Sequence, residues 1–140
     1  MINDPETSPG FLLWHVTLRW QRAVAAALGP LDLTHVQFVL LACTWWLNTH
    51  GPALPNQLAV ARQAGTDVKM TSQVLARLEA RDLITRAVDP ADTRAKLLRI
   101  TPAGATLAQE AIKVVDAVDA AFFGPVADRR GLTEALTALR

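Results

Sequence analysis

Apolar positions recur every three to four residues over most of this chain, and they change to a strand-like pattern in one stretch near residues 83–100. Across residues 11–28 no Gly or Pro intervenes. Two apolar stripes run there at helical spacing, Leu13, Val16, Trp20, Val24 and Ala27 on one side and Phe11, Trp14, Leu18 and Ala25 on another. A helix apolar on two sides must be covered on two sides. Gly29-Pro30 reads as its stop, and the polar, proline-bearing residues 1–10 read as a loose arm. A second helix is expected from Thr34, a suitable N-cap, through Phe38, Leu41 and Trp45 to His50-Gly51-Pro52. Val36, Val39, Cys43 and Leu47 form its other face.

A third helix is expected to start near Pro55, placed in its first turn, and to run over residues 57–63 to the turn Ala64-Gly65-Thr66. The fourth follows at once, over residues 66–81. Two helices joined by a short Gly-bearing turn read as a helix-turn-helix. On the fourth helix Met70, Val74, Leu75 and Leu78 point to one side, while Lys69, Ser72, Gln73 and Ala76 point away, with Arg77 at the margin. That outward set has the chemistry to read a duplex. Gln grips adenine in the major groove, Ser and Lys bond bases or phosphates, and a small Ala permits close approach. Residues 83–88 and 96–100 are β-prone and are joined by Asp89-Pro90-Ala91-Asp92-Thr93-Arg94, so a hairpin with a longer loop is expected, a β-wing. An arginine on such a loop suits the negative potential of a minor groove. Asp92, repelled by phosphate, is assigned to orienting Arg94 or a neighbouring basic residue. Thr101-Pro102 opens a fifth helix that runs to about Phe123, where Gly124-Pro125 stops it. A last short helix over residues 132–139 is apolar at Leu132, Leu136 and Leu139 and too short to stand alone.

Composition sharpens this picture in two ways. The chain has 140 residues, enough for one domain, yet 51% of them are hydrophobic and the mean hydropathy is +0.20, more than one small core needs. The excess points to a partner subunit. The net charge of +1 is uninformative, but Lys69, Arg77, Arg81, Arg86, Arg94, Lys96 and Arg99 are half of the 14 Lys and Arg and fall in the helix-and-wing segment. One cysteine makes no internal disulfide, the start lacks the basic region of a secretory signal, and the longest apolar run, residues 38–47, is far short of the roughly 20 residues of a membrane span. A cytoplasmic protein with no membrane partner is expected. His15, His35 and His50 are too far apart, without Cys or carboxylate neighbours, to predict a metal site. No nucleophile elbow, phosphate loop or carboxylate pair points to an enzyme, and no cofactor is expected.

Taken together, Gln57-Leu58-Ala59, then Met70 through Glu79 (MTSQVLARLE), Leu83-Ile84, Asp89-Pro90-Ala91-Asp92-Thr93-Arg94 and Ile100-Thr101-Pro102-Ala103-Gly104 resemble the MarR family of bacterial transcription regulators over roughly residues 31–107. The resemblance implies a mainly α fold with a small β-wing: a winged helix-turn-helix with N- and C-terminal dimerisation helices. It divides the chain into an arm and dimerisation helix (1–32), the winged DNA-binding domain (33–104) and C-terminal dimerisation helices (105–140). It also implies a homodimer on a pseudo-palindromic double-stranded operator, with the fourth helix in the major groove and the wing arginine in the minor groove. By that resemblance Ser72, Gln73 and Arg94 are the DNA contacts, with Asp92 structural, and the basic residues of the same helix face and wing, Lys69, Arg77 and Lys96, are expected to join them. Asp82 departs from the family's usual glycine at the end of the fourth helix; an Asp can sometimes adopt the left-handed conformation, so the fold is expected to survive while the turn into the wing is less firmly specified.

Many family members are released from DNA by a small aromatic or anionic effector lodged between the dimerisation helices and the winged domain. Trp14, His15, Arg19, His35, Phe38 and Trp45 supply aromatic walls and polar groups suited to a planar acid. The same residues also read as core or dimer packing. Two other readings stand beside this one: a winged domain used for protein contact alone, and a redox-responsive regulator using Cys43. The apolar neighbours of Cys43 favour a packing role, because no basic residue is close in sequence to stabilise a thiolate.

Overall fold

The computed structural model describes residues 4–140. Of the expected arm, Met1, Ile2 and Asn3 lie outside the described residues. The chain order is α1 (Pro9–Leu28), a 3-10 turn (Gly29–Leu31), α2 (His35–His50), α3 (Gln57–Ala64), α4 (Val68–Ala80), β1 (Ile84–Asp89), β2 (Asp92–Ile100), α5 (Pro102–Phe122) and α6 (Arg129–Leu139). α1 begins two residues before the expected start, because Ser8 accepts a hydrogen bond from the Phe11 amide and Pro9 occupies a first-turn position where no N–H is needed. Pro9 and Gly10 are thus helix and not arm.

Helix ends follow local chemistry. Thr34 and Gln37 form a reciprocal capping box at α2, and Thr101 caps α5 through the Gly104 amide. α6 starts at Arg129, earlier than expected, because Asp128 caps it through Gly131 N–H. α1 ends at Leu28 with Gly29 as its C-cap, as expected from Gly29-Pro30. The chain continues through the 3-10 turn to Asp32, whose φ of 54° reverses it. Asp82 does the same after α4 with φ of 56°. Its N–H bonds Glu79 O at 2.9 Å and Leu83 N–H bonds Leu78 O at 3.1 Å, the paired bonds that Gly65 also makes possible after α3. The departure from glycine therefore leaves the turn into the wing intact.

Two expectations are corrected. Pro55 is not in the first turn of α3. Asn56 is the N-cap, and the Pro55 carbonyl instead accepts from Leu98 N–H at 2.8 Å, laying this segment along β2. The hairpin loop is also shorter than expected, with only Pro90 and Ala91 outside the strands, tightened by Ala91 N–H bonding Asp89 Oδ1 at 2.8 Å. The antiparallel register runs from Ile84 opposite Ile100 to Val88 opposite Lys96, then jumps to Asp89 opposite Asp92. Residues 93–95 are left outside the ladder, so Arg94 sits on a bulged strand. Bulges re-aim side chains next to functional sites.

α2 is the hub, packed against α1, α3, α4, α5 and β2. Its Phe38, Leu40 and Leu41 join Val24 and Leu28 of α1, Val60 of α3, Leu75 and Leu78 of α4, Ile84, Leu98, and Ala108, Ala111 and Val115 of α5 in one core. Trp20 Nε1 donates to Asp119 Oδ1 at 2.8 Å and ties α1 to α5. Gly104, in the first turn of α5, passes so close to the Leu83 carbonyl that a Cβ there would overlap the oxygen. Gly104→Ala is accordingly expected to destabilise the fold by about 3 kcal/mol, read as a lower midpoint in urea unfolding, because the obstacle is backbone and cannot rotate away. α6 buries no residue.

Candidate nucleic-acid interface

The recognition face is built from the start of α4. Asp67 caps the helix, accepting from Lys69 N–H at 2.9 Å and Met70 N–H at 3.3 Å. Thr71, fully buried, donates to Asp67 O at 2.7 Å and lies 2.6 Å from the Thr66 hydroxyl, which locks the turn entering α4. The helix therefore starts at Val68, two residues later than expected from the sequence. With Leu75 and Leu78 in the core, Lys69, Gln73, Ala76 and Arg77 are exposed on the outer face and Ser72 is half-buried.

The wing stands beside that face. Asp92 Oδ1 accepts from Arg94 N–H at 3.1 Å and from its Nε at 3.4 Å, while the Arg94 side chain is 92% exposed. A groove of about 320 Å³ opens between α3, the N-terminus of α4 and β2, lined by Gln57, Leu58, Val68, Ser72, Arg94 and Lys96 among others. The structure thus brings Ser72, Arg94 and Lys96 together. Arg77 borders a separate groove of about 420 Å³ with Thr34, Gln37 and Arg81. Leu58 and Val68, both exposed, form an apolar part of the first groove that the sequence reading passed over. Val68 carried a legible signal, since it stands one turn before Ser72 on the same helix face. A valine there offers an apolar contact of the kind a thymine methyl makes.

Two of the basic residues grouped by sequence serve the fold instead. Arg86 is only 11% exposed at its side chain. Its Nε and Nη2 both donate to Glu79 Oε1 at 3.2 Å, its backbone N–H donates to Glu79 Oε2 at 3.1 Å, and Nη1 donates to Gln57 Oε1 at 2.8 Å. The wing is thereby braced against α3 and α4. Arg81 donates to the Asp32 carbonyl at 2.6 Å. A largely buried guanidinium that donates twice to one carboxylate oxygen and once to Gln57 is committed to these partners and is not free for phosphate.

The residues considered for an effector are dispersed over the chain. Phe38 is part of the core. Trp14, 63% exposed, lines a groove along α1 with Leu13, Thr17 and Gln21, whereas Trp45 lines another with Cys43, Trp46 and Ile112. His15 stacks edge-on against Phe11 at 4.5 Å, His35 against Trp20 at 5.0 Å, and Arg19 lies over the Phe122 ring at 5.8 Å. Burial pushes the His35 imidazole below its ordinary value despite the opposing pull of the Asp119 carboxylate. Burial likewise pushes the Cys43 thiol up, the opposite of what an oxidant-sensing thiolate needs.

An exposed second helix of a helix-turn-helix, followed by a hairpin that carries an exposed arginine into the same groove, defines a winged helix-turn-helix DNA-binding protein. Comparison with known proteins places it more narrowly. The MarR family model matches residues 33–96. The uncharacterised HTH-type transcriptional regulator YdcH of Bacillus subtilis (strain 168) is 39% identical over 98% of this chain and 92% of its own. The crystal structure of CouR from Rhodococcus jostii RHA1 bound to p-coumaroyl-CoA superposes with a TM-score of 0.82 at 29% identity, covering 98% of this chain and 94% of CouR. The transcriptional repressor CouR bound to a 23-mer DNA duplex shares the fold, with a TM-score of 0.80 at 24% identity over 99% of this chain and 94% of that one. The chain belongs to the MarR family and is a transcription regulator. Among the described residues no single helix is long and apolar enough to cross a membrane.

Proposed function

We propose that this regulator is a homodimeric, effector-responsive repressor of a pseudo-palindromic operator. Lys69, Ser72, Gln73 and Arg77 of α4 enter the major groove, and Arg94, steadied by Asp92, enters the adjacent minor groove with Lys96 on the backbone. The observation that carries this reading is the groove in which Ser72 of α4 and Arg94 of the wing face a common space. Dimerisation is supported by an apolar groove of about 490 Å³ lined by Leu12, Leu13, Val16 and Trp20 of α1 and Leu132 and Leu136 of α6, a surface of the kind that marks a protein interface. The p-coumaroyl-CoA bound by CouR supports an aromatic acid or its thioester as the effector class. Because Trp14, His15, Arg19, His35, Phe38 and Trp45 lie apart in one protomer, the effector pocket on this reading is completed by the second copy.

The test is selection of a binding site from random duplex DNA, followed by footprinting. Two protected half-sites about 10 base pairs apart are expected, with affinity falling steeply as salt rises, and simple aromatic acids are expected to release the DNA. A single protected half-site overturns the dimeric reading. Binding that ignores salt and persists when Arg94 and Gln73 are replaced points to a protein-contact module instead.

A further inference from the structure

β2 pairs with β1 along one edge only, so backbone groups of Leu98 and Ile100 on its other edge need partners from elsewhere. The Leu98 N–H is met by the Pro55 carbonyl at 2.8 Å. One side chain meets two more. Asn48, half-buried in the last turn of α2, accepts from Ile100 N–H through Oδ1 at 2.9 Å and donates from Nδ2 to the Leu98 carbonyl at 3.1 Å. A carboxamide presents a donor and an acceptor side by side, so Asn48 stands in for the peptide of a third strand. These bonds cross 50 and 52 residues of sequence and fasten α2 directly to the wing.

The wing is thereby held from two directions. Through β1, Arg86 ties it to Glu79 of α4 and Gln57 of α3. Through β2, Asn48 ties it to α2, which packs on α1 and α5 as well as on α3 and the recognition helix α4. Leu98 is four residues from Arg94 along the strand, and Leu97 and Lys96 between them stay paired with Ala87 and Val88, so a shift of α2 imposed at Leu98 and Ile100 is carried along the ladder to the base of the bulge that bears Arg94. We propose that Asn48 is a positioning residue for the wing: by its two hydrogen bonds, α2 sets where Arg94 stands relative to the recognition helix. This rests on the reading of Arg94 as a DNA contact.

The experiment measures affinity for the selected operator with the wild-type chain, Asn48→Ala, Arg94→Ala and the double variant at one salt concentration, together with melting temperature and amide hydrogen exchange. Asn48→Ala is expected to weaken binding about tenfold in the wild-type chain and less than about twofold in the Arg94→Ala chain, because the lost contact is the same one. Faster exchange is expected at Ile100, with protection retained in α4. Asn48→Asp keeps the acceptor for Ile100 but sets a second oxygen against the Leu98 carbonyl; it is expected to give the same pattern and decides the matter if the alanine variant does not fold. Equal losses in both backgrounds overturn the positioning role and leave Asn48 a stabilising residue. No loss in either background also overturns it. If Arg94→Ala binds like the wild type, the DNA reading of the wing fails first, and the positioning role with it.

Discussion

Leu13→Asp is expected to abolish dimerisation and to lower operator affinity by roughly a hundredfold or more. Leu13 is 53% exposed on α1, and Leu12, Trp14, Val16 and Leu136, also exposed, share its grooves, a concentration of apolar surface that a lone chain of this size leaves in water at a cost. In a two-fold interface each substitution appears twice, so two carboxylates enter an apolar contact without partners. The loss in DNA binding follows by a separate route. A dimer that engages one half-site presents its second winged domain to the other at high effective concentration, and a monomer forfeits that advantage without losing any direct contact. Sedimentation velocity is expected to give twice the 15.2 kDa chain mass for the wild type and a single chain mass, or an unfolded species, for the variant. A variant that still sediments as a dimer moves the interface away from α1 and returns its apolar stripe to ordinary surface.

What the sequence made legible was what short-range chemistry determines. Thr34 and Thr101 are recognisable as caps because each needs only its own hydroxyl and an amide three residues on. The outward face of α4 follows from helical periodicity, and the four inward positions Met70, Val74, Leu75 and Leu78 are indeed its covered side. Pairing partners decide the rest. The strand register that jumps at Val88 and places Arg94 on a bulge depends on what lies opposite, so the loop was expected to be longer than it is. Pro55 looks like a first-turn proline until β2 is laid beside it. Arg86 looks like one more cation until Glu79 and Gln57, seven and 29 residues away, are folded against it. Asn48 gave no signal at all, because both of its partners are backbone groups of a distant strand. The aromatic residues of α1 and α2 share helical spacing but face different neighbours, and periodicity alone does not separate a wall of a cavity from a piece of core.

Replacement of Gln73 and Arg94 by alanine is expected to separate reading from positioning on the DNA. Gln73 is exposed on α4 one residue beyond Ser72, within the helix that a winged domain lays in the major groove, where a carboxamide makes a bidentate pair with adenine. Gln73→Ala is therefore expected to cost about 1–3 kcal/mol on the selected operator and much less on an operator already changed at that base pair. Arg94 offers a different chemistry. Its guanidinium is almost fully exposed and is held only by Asp92, so it is free to enter a minor groove that distinguishes little beyond A·T from G·C. Arg94→Ala is expected to weaken binding to both operators alike and to flatten the dependence of log affinity on log salt by roughly one unit, the share of one released counterion. The decisive measurement is binding of each variant to both duplexes across a salt series. Equal losses for Gln73→Ala on the two duplexes would show that the carboxamide reads no base, and the assignment of the outward face of α4 to the major groove would fall with it.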